Sequence, residues 1–125
     1  MNNKPTESEL EILQILWQKK QATVREVNEE LSAQKQTEIG YTTTLKLMQL
    51  MHEKGLVTRD ASNRTHVYKA LLNQQKTQKS LVNKLIDSAF GGSTSKLIMQ
   101  ALSDHKSSPE ELEAIKKYLD QLNQK

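Results

Sequence analysis

The stretch that decides the fold is YTTTLKLMQLMHEKGLVTRDASNRTHVYKA, residues 41–70. In its first half, inward-facing side chains recur at helical spacing and predict a helix over residues 41–54. Those side chains are Thr44, Leu47, Met48 and Met51. Gly55 follows where a glycine commonly ends a helix, and the pattern then changes to an alternating one. Residues 56–60 and 65–70 therefore predict two short strands, joined by a polar turn.

Two further helices are predicted before this stretch. Two residue pairs have the spacing of a capping box, Thr6 with Glu9 and Thr23 with Glu26. An apolar stripe follows each pair and predicts one helix over residues 7–19 and a shorter one that ends in the polar stretch 32–37. Three helices and a hairpin within about 70 residues are the order of elements in a winged helix-turn-helix. Residues 1–72 are therefore predicted to form a DNA-binding domain.

Residues 73–125 predict three more helices. Gly91-Gly92 interrupts the apolar pattern, and Ser108-Pro109 is typical of a helix start. Only 17 of these 53 residues are apolar, and they form stripes on separate helices, so one copy has a thin core. Two copies that pack these stripes together would bury them, which predicts a helical dimerisation domain. The alternative is a monomer whose last helices fold back on the first domain.

The expected fold class is mainly α: a winged helix-turn-helix of three helices plus a β-hairpin wing, followed by a three-helix C-terminal dimerisation module. The residues expected at the dimer interface are Leu81, Leu85, Ile86, Phe90, Leu97, Leu102, Ile115 and Leu119.

Positive charge is concentrated in one segment. The chain carries 18 Lys and Arg against 15 Asp and Glu, a net charge of +3. Residues 1–39 have five basic and seven acidic side chains, whereas residues 40–69 have five basic and only two acidic ones. The excess therefore lies on the third predicted helix and the hairpin, the two elements with which a winged helix contacts DNA.

The solvent face of the third predicted helix carries groups that bind DNA. With a turn of about 100° per residue, the side chains opposite the core point to solvent. These are Thr42, Lys46, Gln49 and Glu53, with Thr43 and His52 at the flanks. Hydroxyl, amide and ammonium groups bond to base edges or phosphates, whereas Glu53 is expected to lie beyond the duplex. The predicted DNA-binding residues are Tyr41, Thr42, Thr43, Lys46, Gln49, Asn63, Arg64 and Thr65.

Two of these residues have a second interpretation. Arg64 at the hairpin tip is either a solvated turn residue or a phosphate contact of the wing. Tyr41 either stacks on the DNA backbone and hydrogen-bonds a phosphate, or packs beside Ile39. Polar residues on the solvent face of a helix are the default, so the order of the elements is what favours DNA binding.

The sequence lacks the patterns of an enzyme and of a metal site. It contains no Cys, which excludes disulfides, thiol catalysis and Cys-ligated metals. His52, His66 and His105 are far apart, and no two have metal-ligand spacing, so they are interpreted as surface residues. Acidic clusters fall in the first turns of predicted helices, where the helix dipole favours them. No catalytic residue, metal or cofactor is expected.

The expected location is the cytoplasm, without membrane insertion. No apolar run reaches the roughly 18 to 20 residues that span a bilayer, and residues 1–5 are polar.

Several motifs resemble those of a known family. Tyr41-Thr42-Thr43, a helix, and then Lys54-Gly55-Leu56-Val57 are similar to the third-helix signature of the penicillinase repressor family of bacterial transcription regulators. Residues 6–13 with Trp17, residues 23–27 and the wing residues 64–68 also resemble that family. The resemblance covers nearly the whole chain and matches the division near residue 72.

The resemblance implies a homodimer that binds a palindromic operator on double-stranded DNA. It implies repression of genes for β-lactam resistance or of a related operon that encodes a membrane sensor protease, with induction by cleavage of the repressor. The cleavage region would be Gln100 and Ala101, which stand in place of the family's Asn-Phe bond. Leu50 stands where family members commonly have Arg, so one basic contact or salt bridge is missing. The Cys pairs of the copper-responsive branch are absent as well.

Two other functions fit the same elements. A winged helix that binds a protein partner and no nucleic acid is consistent with the modest net charge. A repressor that senses a small molecule would need a cavity between the two domains.

Overall fold

The computed structural model describes residues 4–104 and 106–124. The chain divides into two compact units, Met1–Gln78 and Lys79–Lys125. In chain order the elements are α1 (Glu7–Lys19), β1 (Ala22–Thr23), α2 (Val24–Lys35), α3 (Tyr41–Glu53), β2 (Val57–Asp60), β3 (Val67–Ala70), α4 (Gln74–Ala89), α5 (Thr94–Asp104) and α6 (Pro109–Asn123). The predicted mainly α fold class is confirmed. The functional assignment of residues 1–72 and 73–125 stays a prediction.

Three helices begin with a capping box. Thr6, Thr23 and Ser108 each accept a hydrogen bond from the backbone amide three residues on, at 3.2, 3.1 and 3.0 Å respectively. The acidic residue at that third position bonds back to the cap amide in every case. These reciprocal bonds satisfy amides that a helix start otherwise leaves free. The helix starts predicted from Thr6, Thr23 and Ser108 are confirmed.

The hydrophobic core belongs to the first unit. It combines one face of each of the first three helices with residues of the sheet and its flanks. The buried hydrophobic residues are Ile12, Leu13, Ile15, Leu16, Ala22, Val24, Val27, Leu31, Met48, Met51, Leu56, Val57 and Tyr68. The indole Nε1 of Trp17 donates a hydrogen bond to the carbonyl oxygen of Leu72 at 3.0 Å. This bond links α1 to the segment that follows β3.

The sheet has three antiparallel strands in the order β1-β3-β2. The sequence predicted β2 and β3 but not β1, because a two-residue strand shows no alternating pattern. β1 pairs Ala22 with Tyr68 and Thr23 with Val67. Because α2 begins at the next residue, this pairing places the start of α2 beside the hairpin.

Both hairpin strands begin later than predicted, β2 at Val57 and β3 at Val67. Leu56 does not belong to β2, since its amide donates to the Met51 carbonyl oxygen at 2.9 Å in the helix cap. Thr65 and His66 belong to the loop before β3. The wing loop is therefore longer than the predicted four-residue turn.

The second unit consists of helices, and none of α4, α5 and α6 has a buried residue. Gly91 and Gly92 link α4 to α5 with φ of 56° and 85°, a conformation that disfavours residues with a Cβ. Within the described parts of the chain, no helix is both long and apolar enough to cross a membrane.

Candidate nucleic-acid interface

The start of α3 is held by a side chain of α2. The side-chain Nδ2 of Asn28 donates hydrogen bonds to the Ile39 carbonyl oxygen at 2.8 Å and to the Thr44 hydroxyl at 2.9 Å. Thr44 is buried and Asn28 is half-buried, so the second bond joins α2 to α3 in a partly buried position. Gly40, the residue before α3, makes no side-chain cap. The amides of the first turn of α3 are therefore left for solvent or for an anion.

The end of α3 is held by α1. Lys54 follows α3 and its Nζ lies 2.7 Å from Oε1 of Glu9, whose side chain is only 4% exposed. The same oxygen accepts the Thr6 amide at 2.9 Å. Burial by itself raises the pKa of Glu9, but the hydrogen bonds from Lys54 and Thr6 and the positive charge of Lys54 outweigh it and lower that pKa. A buried carboxylate thus fixes the position of α3 relative to α1.

A glycine completes this end of α3. Gly55 adopts φ 81°. Its amide donates to the His52 carbonyl oxygen at 3.1 Å, while the next amide reaches Met51. This pair of bonds is a Schellman motif, which needs a left-handed residue at that position. The role of Gly55 predicted from the sequence is confirmed.

The outward face of α3 presents most of the predicted DNA-binding side chains. Thr42, Thr43, Lys46 and Gln49 are all exposed, and Tyr41 is 48% exposed. On the opposite face Thr44, Met48 and Met51 are buried as predicted, while Leu47 is partly buried against the core. Leu50 also lies on the outward side and is 50% exposed, although the helical pattern alone did not include it among the outward-facing residues.

The wing presents the remaining predicted residues at its loop. Asn63, Arg64 and Thr65 are exposed between β2 and β3. The loop begins with a turn in which Asp60 Oδ1 accepts the Ser62 amide at 3.0 Å. The hydrogen bonds from the Ser62 hydroxyl and amide lower the pKa of Asp60. An ionised Asp60 is therefore part of the turn that shapes the wing loop.

A cleft of about 330 Å³ separates α3 from the wing and is closed on one side by the start of α2. Of the residues predicted to bind DNA, it brings together Tyr41, Gln49, Arg64 and Thr65. Thr42, Thr43, Lys46 and Asn63 do not line it. The described residues around the cleft include Arg25, Arg59, Arg64 and His66 and no Asp or Glu. The cleft is therefore suited to a polyanion.

Arg25 and Arg59 were missed by sequence reasoning. The guanidinium of Arg25 lies 6.0 Å from the centroid of the Tyr41 ring, at the outer limit of a cation–π contact. Tyr41 thus faces a basic side chain of α2. Arg25 lies two residues after the Thr23 cap, which places it in the first turn of α2. Its approach to the wing depends on the pairing of β1 with β3, which the sequence does not reveal.

The predicted dimerisation residues remain accessible in the single chain. Leu85 and Leu119 are 45% and 47% exposed, and the other six are half-buried. Gln100 and Ala101, the predicted cleavage region, are exposed within α5. Pairing and cleavage stay predictions.

The two described histidines, His52 and His66, belong to no candidate metal site. Within residues 4–104 and 106–124, no group of three His, Asp or Glu side chains is placed to hold a metal ion. His52 is half-buried and His66 is exposed, while His105 lies outside the described residues.

Comparison with known proteins gives a consistent result. The family model described as penicillinase repressor matches residues 5–121. The methicillin resistance regulatory protein MecI of Staphylococcus aureus strain N315 is 27% identical over 126 residues, which cover 95% of this chain and 98% of MecI. MecI of Staphylococcus epidermidis aligns with the same identity and coverage. The penicillinase repressor of Staphylococcus aureus is 25% identical over 132 residues and the full length of both chains.

These relatives align from end to end, so the similarity includes both units. Members of this family are DNA-binding transcription regulators rather than enzymes. Because the penicillinase repressor family model matches residues 5–121, the chain belongs to the penicillinase repressor family.

Proposed function

We propose that two copies of the chain form a repressor that binds a palindromic operator, with α3 of each copy in a major groove. The observation that carries the proposal is the exposed face of α3, whose polar groups adjoin a cleft lined by Arg25, Arg59 and Arg64. Hydroxyl, amide and ammonium groups read base edges, and arginines neutralise phosphates. Family membership supports the same role.

In this proposal the two elements have different tasks. Thr42, Thr43, Lys46 and Gln49 contact base edges or nearby phosphates from the major groove. Tyr41 and the wing residues Asn63, Arg64 and Thr65 contact the DNA backbone and fix the register of α3 on the duplex. Specificity therefore comes mainly from α3, and salt-dependent affinity mainly from the wing and the cleft.

Dimerisation is proposed for the helices α4, α5 and α6. Val82, Leu85, Leu112 and Leu119 are each at least 45% exposed, which is unusual for so many apolar side chains in 47 residues, 79–125. A second copy that packs on these stripes would bury them. Because two recognition helices then share one binding event, dimerisation sets the affinity for the operator.

The proposed target is an operon for β-lactam resistance or a related operon that encodes a membrane sensor protease. The printed names of the relatives, a methicillin resistance regulatory protein and a penicillinase repressor, support this choice. Cleavage in the region of Gln100 and Ala101 by that protease would damage the dimerisation helices. The separated halves would then bind DNA weakly, and repression would end.

The proposal is tested by two alanine variants and a charge-matched control in DNA-binding titrations with duplex from the chain's own upstream region. Lys46→Ala is expected to weaken specific binding by about 1–3 kcal/mol and to relax the preference at one base pair. Arg64→Ala is expected to weaken binding evenly over sequences and to reduce the salt slope by about 1. Lys106→Ala removes an exposed lysine between α5 and α6 and should retain both affinity and slope.

Unchanged isotherms for Lys46→Ala and Arg64→Ala would refute the assigned surface. A wild-type chain that shifts no duplex at any salt concentration would refute DNA binding itself and would favour a winged-helix module that binds a protein.

A further inference from the structure

Leu50 is an apolar side chain on the polar face of α3. It is 50% exposed, whereas Leu45 and Leu47 on the same helix pack against the core. Leu50 does not take part in that core, so folding of the first unit does not account for a leucine at this position.

Leu50 lies among the side chains proposed to meet DNA. Residues three, four and seven apart are neighbours on a helix surface. Lys46 precedes Leu50 by one turn and Thr43 precedes it by two, and both are exposed. Leu50 therefore lies on the surface that would face the major groove, flanked by an ammonium group and by the hydroxyl and methyl of a threonine.

The chemistry of the major groove offers one matching group for such a side chain. A leucine forms no hydrogen bond, so it matches none of the donors and acceptors that base edges present in the groove. Thymine alone presents a methyl group in the major groove. We propose that Leu50 determines specificity by packing on the C5-methyl group of a thymine in each half of the operator. This inference rests on the proposed function and goes beyond it by naming the base.

The expected effect follows from the size of one methyl group. Its burial corresponds to about a fourfold change in affinity for one half-site. For a dimer that reads the same base in both halves, the two effects multiply to about sixteenfold.

The experiment first selects duplexes from a random pool with the full-length wild-type chain. In the selected site, each symmetric pair of thymines is then replaced by uracil, which lacks only the methyl group and keeps the hydrogen-bonding edges. At one pair, the wild type should bind about sixteenfold more weakly. Leu50→Ala should bind the thymine duplex more weakly and should show little further loss on uracil replacement at that same pair.

Two variants serve as controls. Leu50→Met keeps an apolar side chain of similar reach and should keep a measurable preference for thymine over uracil. Leu71→Ala shortens a leucine of the first unit that is 58% exposed but lies outside α3, and it should show the wild-type uracil profile. Circular dichroism of all variants checks that each one is folded.

The outcomes separate the inference from the function on which it rests. Equal losses for wild type and Leu50→Ala at every uracil pair would overturn the role of Leu50 while leaving the repressor proposal intact. A wild-type chain that enriches no duplex would overturn the proposed function and this inference with it.

Discussion

Helices α1 and α6 begin with the same capping motif but differ in how deeply their apolar stripes are buried. Both start with a capping box, and both carry an apolar stripe. In α1 the stripe is buried, with Ile12 and Leu13 at 0% exposure, whereas no residue of α6 is buried and Leu119 is 47% exposed. The local signals that form a helix are therefore equal in the two units, and the surroundings of the stripe are what differ.

This difference predicts two kinds of stability. A cap contributes about 1 kcal/mol, and isolated helices of fewer than about 12 to 15 residues are marginal in water. The first unit adds thirteen buried hydrophobic side chains among its described residues, so we expect it to fold without a partner. The second unit lacks buried side chains in its helices, so we expect its order to depend on a partner surface and hence on protein concentration.

The largest effect is expected from a charge placed in the proposed pair interface. Ile86 is half-buried in the single chain. A symmetric dimer would bury the Ile86 side chains of both copies in the interface. Ile86→Glu should weaken dimerisation by at least about a hundredfold, because each copy would bury an unpaired carboxylate. Operator affinity should fall with it. Analytical ultracentrifugation over a range of concentrations measures the first effect, and a gel-shift titration the second.

A matched control keeps this test specific. Ser88→Glu adds the same charge two residues further along α4, on the opposite side of the helix, where the side chain is exposed. It should leave the dimer intact. If Ile86→Glu were as dimeric as Ser88→Glu, the placement of the interface would be wrong.

An effect of comparable size, but independent of concentration, is expected in the core of the first unit. Leu13 is 0% exposed, so Leu13→Ala should lower the free energy of unfolding by about 2–5 kcal/mol. Trp17, the only tryptophan, reports on this unit, so urea unfolding followed by its fluorescence measures the change. Gln14→Ala removes an exposed neighbour and should cost little. A loss for Leu13→Ala that varied with protein concentration would mean that this unit, too, depends on a partner.

The sequence predicted most of the fold because its signals are local. Capping boxes, Gly55 and the inward stripe of α3 each depend on residues within about one or two turns, and all three predictions are confirmed. β1 could not be predicted, since two residues carry no period and its pairing with Tyr68 joins positions far apart in the chain.

For the candidate site, sequence reasoning found single side chains but missed how they are held and grouped. The outward direction of Lys46 and Gln49 follows from helical periodicity alone. The contributions of Arg25 and Arg59 to the cleft depend on strand pairing. The same holds for Asn28 and Glu9, which look like solvated helix residues in the sequence and reach α3 or its end only through tertiary contacts.

The smallest effect is expected at the contact between Glu9 and Lys54, and it should depend on pH. Because the folded chain lowers the pKa of Glu9 below its ordinary value of 4.5, ionised Glu9 stabilises the first unit above that pH. The contribution should be lost as the pH falls through the lowered pKa. Glu9→Gln keeps the shape and removes the charge, so at pH 7 it should cost about 1–2 kcal/mol, less than a fully buried pair because Lys54 is partly exposed.

Urea unfolding of wild type and Glu9→Gln from pH 7 down to about pH 3 measures this dependence through Trp17 fluorescence. The difference between the two should stay constant above about pH 5 and shrink below it. Glu7→Gln changes an exposed acid in the same first turn of α1 and should follow the wild type throughout. A difference that persisted unchanged to the lowest pH would mean that the charge of Glu9 is not what stabilises the unit. The carboxylate would then not be the group that holds the end of α3.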